Sequence, residues 1–201
     1  LAHNFDFILM SDPTQSSSPS LWERGASRTI AKTKVFDLCG VSYRHPKRGT
    51  EREFVCLNAP DWVNVVAVTK EGKLVLVTQF RFGTNSLSLE VPGGVIEKGE
   101  DPVAAGLREL AEETGYSCTS ATLLGSLHPN PAIMSNRCHV VLAEGVSPTH
   151  ALGWDPDEEL EVSLASVSDV LAWVAQGRIT HSLSVCALML YLQDKGGQPR
   201  V

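Results

Sequence analysis

The chain has little of what membrane-spanning, secreted or nucleic-acid-binding proteins need. No apolar run nears the roughly 18 consecutive residues of a membrane-crossing helix. The opening LAHNFDFILM has neither a basic start nor a clean apolar stretch, so no secretory signal is expected. Positive charge is scarce: 17 Lys and Arg against 23 Asp and Glu leave a net charge of −6, which gives no broad field to recruit nucleic acid. Five cysteines (Cys39, Cys56, Cys118, Cys138, Cys186) form no C-x-x-C pair, and the odd count suits small buried thiols in a reducing, cytoplasmic setting. His128 and His139 lack metal-type spacing with other histidines, and Ser182 beside His181 lacks a glycine-framed elbow, so zinc and serine-hydrolase chemistry carry little weight. Internal repeats and heptads are absent.

What is present is a 43% hydrophobic composition, enough for a sizeable core in one domain with an appendage. Residues 1–20 include the polar stretch SDPTQSSSPS and read as a disordered tail or expression remnant, with structure beginning near Trp22. Residues 21–58 carry period-two runs at Thr29–Phe36, Val41–Tyr43 and Glu53–Leu57 around a basic turn, which predicts a small antiparallel β unit. From residue 59 to 201 the pattern is richer. Trp62–Thr69 and Leu74–Phe80 flank Lys70-Glu71-Gly72-Lys73 as a hairpin. Short strands are expected at Thr122–Leu127, Cys138–Ala143 and Leu160–Ser163, and helices at Val167–Gln176 and Leu183–Gln193. Strands on both sides of a central helix, followed by terminal helices, predict a mixed sheet covered on both faces.

The central helix is the most informative segment. Asp101 and Pro102 supply a cap and a first-turn proline, good helix formers run to Thr114, and Gly115 stops them. At 100° per residue Glu109, Glu112 and Glu113 share an arc of about 100°, with Val103, Leu107 and Leu110 roughly 130° away. Three like charges at this spacing weaken an isolated helix, so their convergence makes sense if a divalent cation neutralises them. Oxygen-only donors with room for water and phosphate point to Mg²⁺ or Mn²⁺. Gly93 and Gly94 would let backbone approach the cluster, and Gly106 would let the helix pack closely.

Gly94, Glu100, Arg108, Glu109, Leu110, Glu112, Glu113 and Gly115 stand at the spacing G-x5-E-x7-R-E-L-x-E-E-x-G, which resembles the Nudix box. At about 7% usage per position, such a match arises by chance about once in 10⁹ windows. The resemblance implies a three-layer α/β/α sandwich, with Glu109, Glu112 and Glu113 and the Gly93 carbonyl as metal ligands. Glu100 and Arg108 would form a supporting salt bridge, because the wheel places Arg108 off the carboxylate face. Tyr116 stands where the box has an aliphatic residue, and its ring is expected to bury behind the helix.

Outside the box, Gln79-Phe80-Arg81 with Leu89-Glu90-Val91-Pro92-Gly93-Gly94, and Pro131 sixteen residues after Gly115, resemble the ADP-ribose pyrophosphatase branch. That branch hydrolyses the pyrophosphate of nucleoside diphosphate sugars, here ADP-ribose or a hexose conjugate such as GDP-mannose, to a nucleoside monophosphate and a sugar phosphate. Arg81, Glu90 and Pro131 are then the expected substrate-binding residues. Arg81 is the pyrophosphate clamp by its planar fork, or else a strand-end partner of Glu90. Residues 153–162 resemble the loop that carries a catalytic glutamate, which selects Glu158, then Glu159; an acidic surface loop is the plain alternative. Trp62, Trp22 and Phe54 are candidates to stack on a base or to pack in the core. Relatives are commonly homodimers in which the N-terminal strands border the neighbour's site, and the same is expected of residues 22–57. The box also fits a hydrolase of another dinucleotide or nucleoside triphosphate, and a catalytically silent nucleotide-binding sensor domain would share the fold.

Overall fold

The computed structural model describes residues 18–154 and 159–196. Eleven strands and three helices are found among them. A three-stranded antiparallel sheet comes first, built from β1 (Glu23–Lys32), β2 (Asp37–Arg44) and β3 (Glu51–Asn58) in that spatial order. Every residue of β1 is exposed, whereas Cys39 and Val41 of β2 are buried. Gly40 leaves space for an ion pair that crosses over β2 from Arg28 Nη2 on β1 to Glu53 Oε1 on β3 at 2.6 Å. The end of β3 is tied to the rest of the molecule by the Leu57 N–H, which donates to the Ile133 carbonyl at 2.7 Å.

The second sheet has eight strands. Its spine runs β11 (Leu160–Ser166), β5 (Lys73–Arg81), β4 (Trp62–Thr69), β10 (Cys138–Pro148), β8 (Tyr116–Ser117), while β6 (Ser86–Glu90) pairs β5, β7 (Gly93–Val95) pairs β4 and β9 (Ala121–Leu127) pairs β10. β4 and β10 are parallel and the remaining pairs antiparallel, so the sheet is mixed as expected.

Strand alternation divides the core between the two faces. Val63, Val65 and Ala67 of β4, with Val75, Val141 and Ala143, pack on Ala105 and Leu110 of α1 (Pro102–Thr114). Val66 and Val68, with Leu74, Leu76, Val140 and Leu142, pack on Val170 of α2 (Val167–Ala175) and on Ala187, Leu188 and Tyr191 of α3 (Ser182–Lys195). Helices on both faces make the expected α/β/α sandwich. Tyr116 packs at the edge of the α1 cluster, as its ring was expected to. All five cysteines are free, but the core reading holds fully only for Cys39 and Cys138, since Cys186 is exposed on α3. Among the described residues no helix is long and apolar enough to cross a membrane.

Candidate active site

Helix α1 has the predicted bounds because its ends are specified locally. Asp101 Oδ1 accepts from the Val103 and Ala104 N–H groups at 2.9 and 3.1 Å. Gly115 closes the helix in the left-handed region at φ 72, and its N–H donates to the Ala111 carbonyl. Gly106 faces Val63, Val65 and Val141, where any side chain would crowd the sheet. The helix therefore lies close on β4, and β7 pairs with the start of the same strand through Asn64↔Gly93 and Val63↔Gly94.

That packing brings the glycine loop against the carboxylates. The Gly93 N–H donates to Glu113 Oε2 at 2.9 Å, and Glu113 is 4% exposed. A side chain at Gly94 would collide with the Glu109 carboxylate, and one at Gly93 with the Val63 carbonyl. Glycine at Gly93 is thus a steric requirement of the loop and helix meeting here, and at Gly94 it leaves the Glu109 carboxylate in place.

Arg108 binds Glu100 through Nε and Nη2 at 2.9 and 3.0 Å, the salt bridge expected from the sequence. Its expected position off the carboxylate face is corrected. Nη1 donates to both Glu109 Oε1 and Glu112 Oε2 at 3.0 Å, and Nη2 reaches the Val95 carbonyl at 3.1 Å. A helical wheel places Cβ atoms, whereas the guanidinium sits several bonds further out. Its positive charge offsets part of the repulsion among the glutamates. Hydrogen bonding to Glu100 is the main reason the guanidinium is held more firmly protonated than usual.

Glu112 is the outermost of the three, with its side chain 46% exposed. Among the described residues no three His, Cys, Asp or Glu side chains close on a single point as a ready-made metal cage. The donors nevertheless suit a small hard cation. They are all oxygen, Glu109 and Glu113 are largely shielded from solvent, and a cation bound by few carboxylates would complete its shell with backbone carbonyl, water and substrate oxygens.

Beside this corner opens a cleft of about 740 Å³. Trp62, Asn64, Arg81, Gly93, Gly94 and His181 are among the residues that line it. Arg81 forks onto Glu90, Nε to Oε1 and Nη2 to Oε2, both at 2.7 Å. Glu90 is 1% exposed. Burial by itself would raise its pKa, but the Arg81 bonds and charge overcome this and hold the carboxyl below its ordinary range. Arg81 stays 42% exposed on the cleft wall, so the ion pair and a place beside a bound anion are compatible.

Pro131 is exposed and lies apart from this cleft. It lines a second hollow of about 650 Å³ with Trp22, Tyr43 and Phe54, between the N-terminal sheet and the loop at 131–135. Trp22 and Phe54 meet edge to face there at 5.7 Å between ring centres, while Trp62 faces the main cleft. Glu158 lies outside the described residues; Glu159 is exposed just before β11. The leading end of their loop is anchored on α1: the Gly153 N–H donates to the Glu112 carbonyl and Trp154 Nε1–H to the Glu113 carbonyl, each at 2.9 Å.

Two cleft residues were given no site role by the sequence: Asn64 was not singled out, and His181 was weighed only as a partner of Ser182 in serine-hydrolase chemistry. Asn64 is buried, and among the described residues its Nδ2 has no hydrogen-bond partner. An asparagine within the valine-rich run of β4 is the one signal that could have marked it. His181 gave no such signal, because its neighbours Glu90 and Ser184 come from distant parts of the chain or across a helix turn.

Fold and site together define an α/β/α enzyme in which a glycine loop meets a carboxylate-bearing helix at the edge of an open cleft. The family model described as the NUDIX domain matches residues 60–183, and the chain belongs to the Nudix family. It is 35% identical over 175 residues to the ADP-ribose pyrophosphatase of Bacillus subtilis (strain 168), covering 84% of this chain and 93% of that protein. It is 37% identical over 145 residues to the methanol dehydrogenase activator of Bacillus methanolicus, covering 72% and 77%. The crystal structure of an ADP compounds hydrolase superposes with a TM-score of 0.79 at 25% identity, covering 92% of this chain and 100% of the other.

Proposed function

We propose that the protein hydrolyses the pyrophosphate bond of an ADP-ribose-like nucleoside diphosphate sugar, releasing a nucleoside monophosphate and a sugar phosphate. The observation that carries this reading is the union of the Gly93–Gly94 loop with Glu109 and Glu113 beside the cleft. The names of the Bacillus subtilis pyrophosphatase and of the superposed ADP compounds hydrolase support the substrate class.

In this reading Glu109, Glu112, Glu113 and the Gly93 carbonyl hold a divalent cation, Mg²⁺ first and Mn²⁺ second. When bound, the cation shields phosphate charge and makes water a better nucleophile. Glu113 is fixed by the Gly93 N–H, so its carboxylate keeps one orientation through the reaction. Arg81, pre-formed on Glu90, presents positive charge to the pyrophosphate, and Glu90 holds the guanidinium plane. Glu158, with Glu159 as the second choice, takes the proton from the attacking water, and the anchors at Gly153 and Trp154 keep the root of that loop beside α1. Pro131 and the aromatic hollow bear on the nucleotide through a homodimer in which residues 22–57 border the neighbour's site. Five free thiols favour a reducing compartment, the cytoplasm.

Glu113→Gln tests the assignment. Turnover of ADP-ribose, measured as phosphate released by a coupled phosphatase, should fall at least about 10²-fold with the melting curve unchanged. A near-normal Mg²⁺-dependent rate in this variant would remove the carboxylate site. A panel of ADP-ribose, GDP-mannose, UDP-glucose, NADH and deoxynucleoside triphosphates would set the substrate class.

A further inference from the structure

We propose that His181 recognises the substrate by accepting a hydrogen bond from a sugar hydroxyl through Nε2. This rests on the hydrolase reading above and extends it to a residue outside the box. His181 occupies the N-cap of α3, with extended φ −66 and ψ 110, yet its side chain makes no capping bond to the helix amides. The ring is turned to other partners. Nδ1 lies 3.0 Å from Ser184 Oγ and 3.2 Å from Glu90 Oε2.

These neighbours determine where the imidazole proton sits. A carboxylate only accepts, so an Nδ1 lone pair facing Glu90 would be repelled, and Nδ1 therefore carries the hydrogen. Ser184 Oγ also receives the Val91 N–H at 3.3 Å, and this bond holds the serine and its end of α3 against the strand that leads to Gly93. Glu90 is already neutralised by Arg81 and does not require an imidazolium. Burial is the main influence keeping His181 neutral, and Arg81 acts in the same direction against Glu90.

A neutral ring with Nδ1–H must offer a lone pair at Nε2, for which no partner is found among the described residues. The ring lines the cleft with its side chain 29% exposed. An unprotonated nitrogen repels phosphate oxygens and attracts hydroxyl hydrogens. On a wall shared with Arg81, the guanidinium suits the pyrophosphate and the imidazole suits the sugar attached to it. A site built to bond a hydroxyl discriminates against ligands lacking it, because its own polar group is then left unpaired.

The experiment compares wild type, His181→Phe and His181→Gln on three substrates: ADP-ribose, the methyl ester of ADP, and ADP-ribose built on 2′,3′-dideoxyadenosine. His181→Phe should lower kcat/KM for ADP-ribose about 10-fold or more, as for a lost hydrogen bond to the substrate. The loss should be clearly smaller on whichever analogue lacks the contacted hydroxyl, where only the support that His181 gives Glu90 is removed, and His181→Gln, which keeps an acceptor, should recover part of the loss. Imidazole ¹⁵N shifts of the resting protein should give Nε2 as the unprotonated nitrogen. An equal loss on all three substrates, no loss on any, or a protonated Nε2 would overturn the proposal. Wild type inert toward all three with Mg²⁺ would instead overturn the hydrolase reading, and this proposal with it.

Discussion

Neighbouring glycines in the loop fail differently when given a side chain. At Gly93 a methyl group would strike the Val63 carbonyl, which is backbone and cannot yield without shifting β4. Gly93→Ala should therefore cost about 1–3 kcal/mol of stability in chemical denaturation. At Gly94 the obstacle is the flexible Glu109 carboxylate, so Gly94→Ala should keep most of its stability and lose activity. Similar stability losses in the two variants would contradict this contrast. The Arg81–Glu90–His181 group makes a second prediction, on acid sensitivity. Glu90 has a depressed pKa in the fold, so its contribution to stability is present above the ordinary carboxylate value of 4.5 and lost as pH falls through the folded value. His181 is also depressed, so its contribution is full above 6.5 and is lost as pH falls from there toward its folded value. Arg81→Ala removes the main counterweight to burial at Glu90, leaving only the smaller help of His181 and Ser88. The loss should be about 2–3 kcal/mol at pH 7, the cost of breaking a buried pair discounted for the exposure of Arg81. Denaturation at stepped pH should show the gap between variant and wild type shrinking as pH falls into and through the carboxylate range; a constant gap would refute the coupling.

At the level of the element, α1 joins three functions in thirteen residues. Leu110 and Ala105 fasten it to the sheet, Gly106 sets its distance, and the glutamates stand on the side that meets the loop. Its N-terminus depends on Asp101, the side-chain acceptor for two amides of the first turn. Asp101→Ala should destabilise the protein by about 1 kcal/mol, read as a lower denaturant midpoint at constant slope. Because Glu109 to Glu113 lie in the second half of the helix, kcat should change less than 2-fold. A large activity loss at full stability would mean that the cap also positions the carboxylates.

For the whole molecule, the N-terminal sheet is the part with the least to hold it. β1 is exposed along its full length, among the described residues no strand pairs its outer edge, and Ile30, Phe54 and Val55 show apolar surface. A second copy that covered this surface would explain why so exposed a strand stays paired to β2 through two register shifts. Sedimentation should give twice the 21.7 kDa of one chain. Ile30→Lys with Val55→Lys should shift the protein to monomer and raise KM for ADP-ribose, whereas a monomeric wild type with normal kinetics would exclude the dimer.

The sequence by itself determined α1 and its acidic face, because caps, stop signal and wheel are all local. It also determined the Nudix resemblance and the β4–β5 hairpin, whose turn closes on Gly72 at φ 74. Its limits were physical. β1 was placed too late, since a strand exposed on both faces carries no alternation to read; β6, β7 and β8 were missed, because they are short and gain their order from β5, β4 and β10. Only the tertiary structure decided that Arg108 reaches into the carboxylates, that Arg81 rests on Glu90, and that Asn64 and His181 share the cleft wall. Those facts depend on where long side chains end and on distant contacts, such as the one across 91 residues between Glu90 and His181, and no local pattern encodes either.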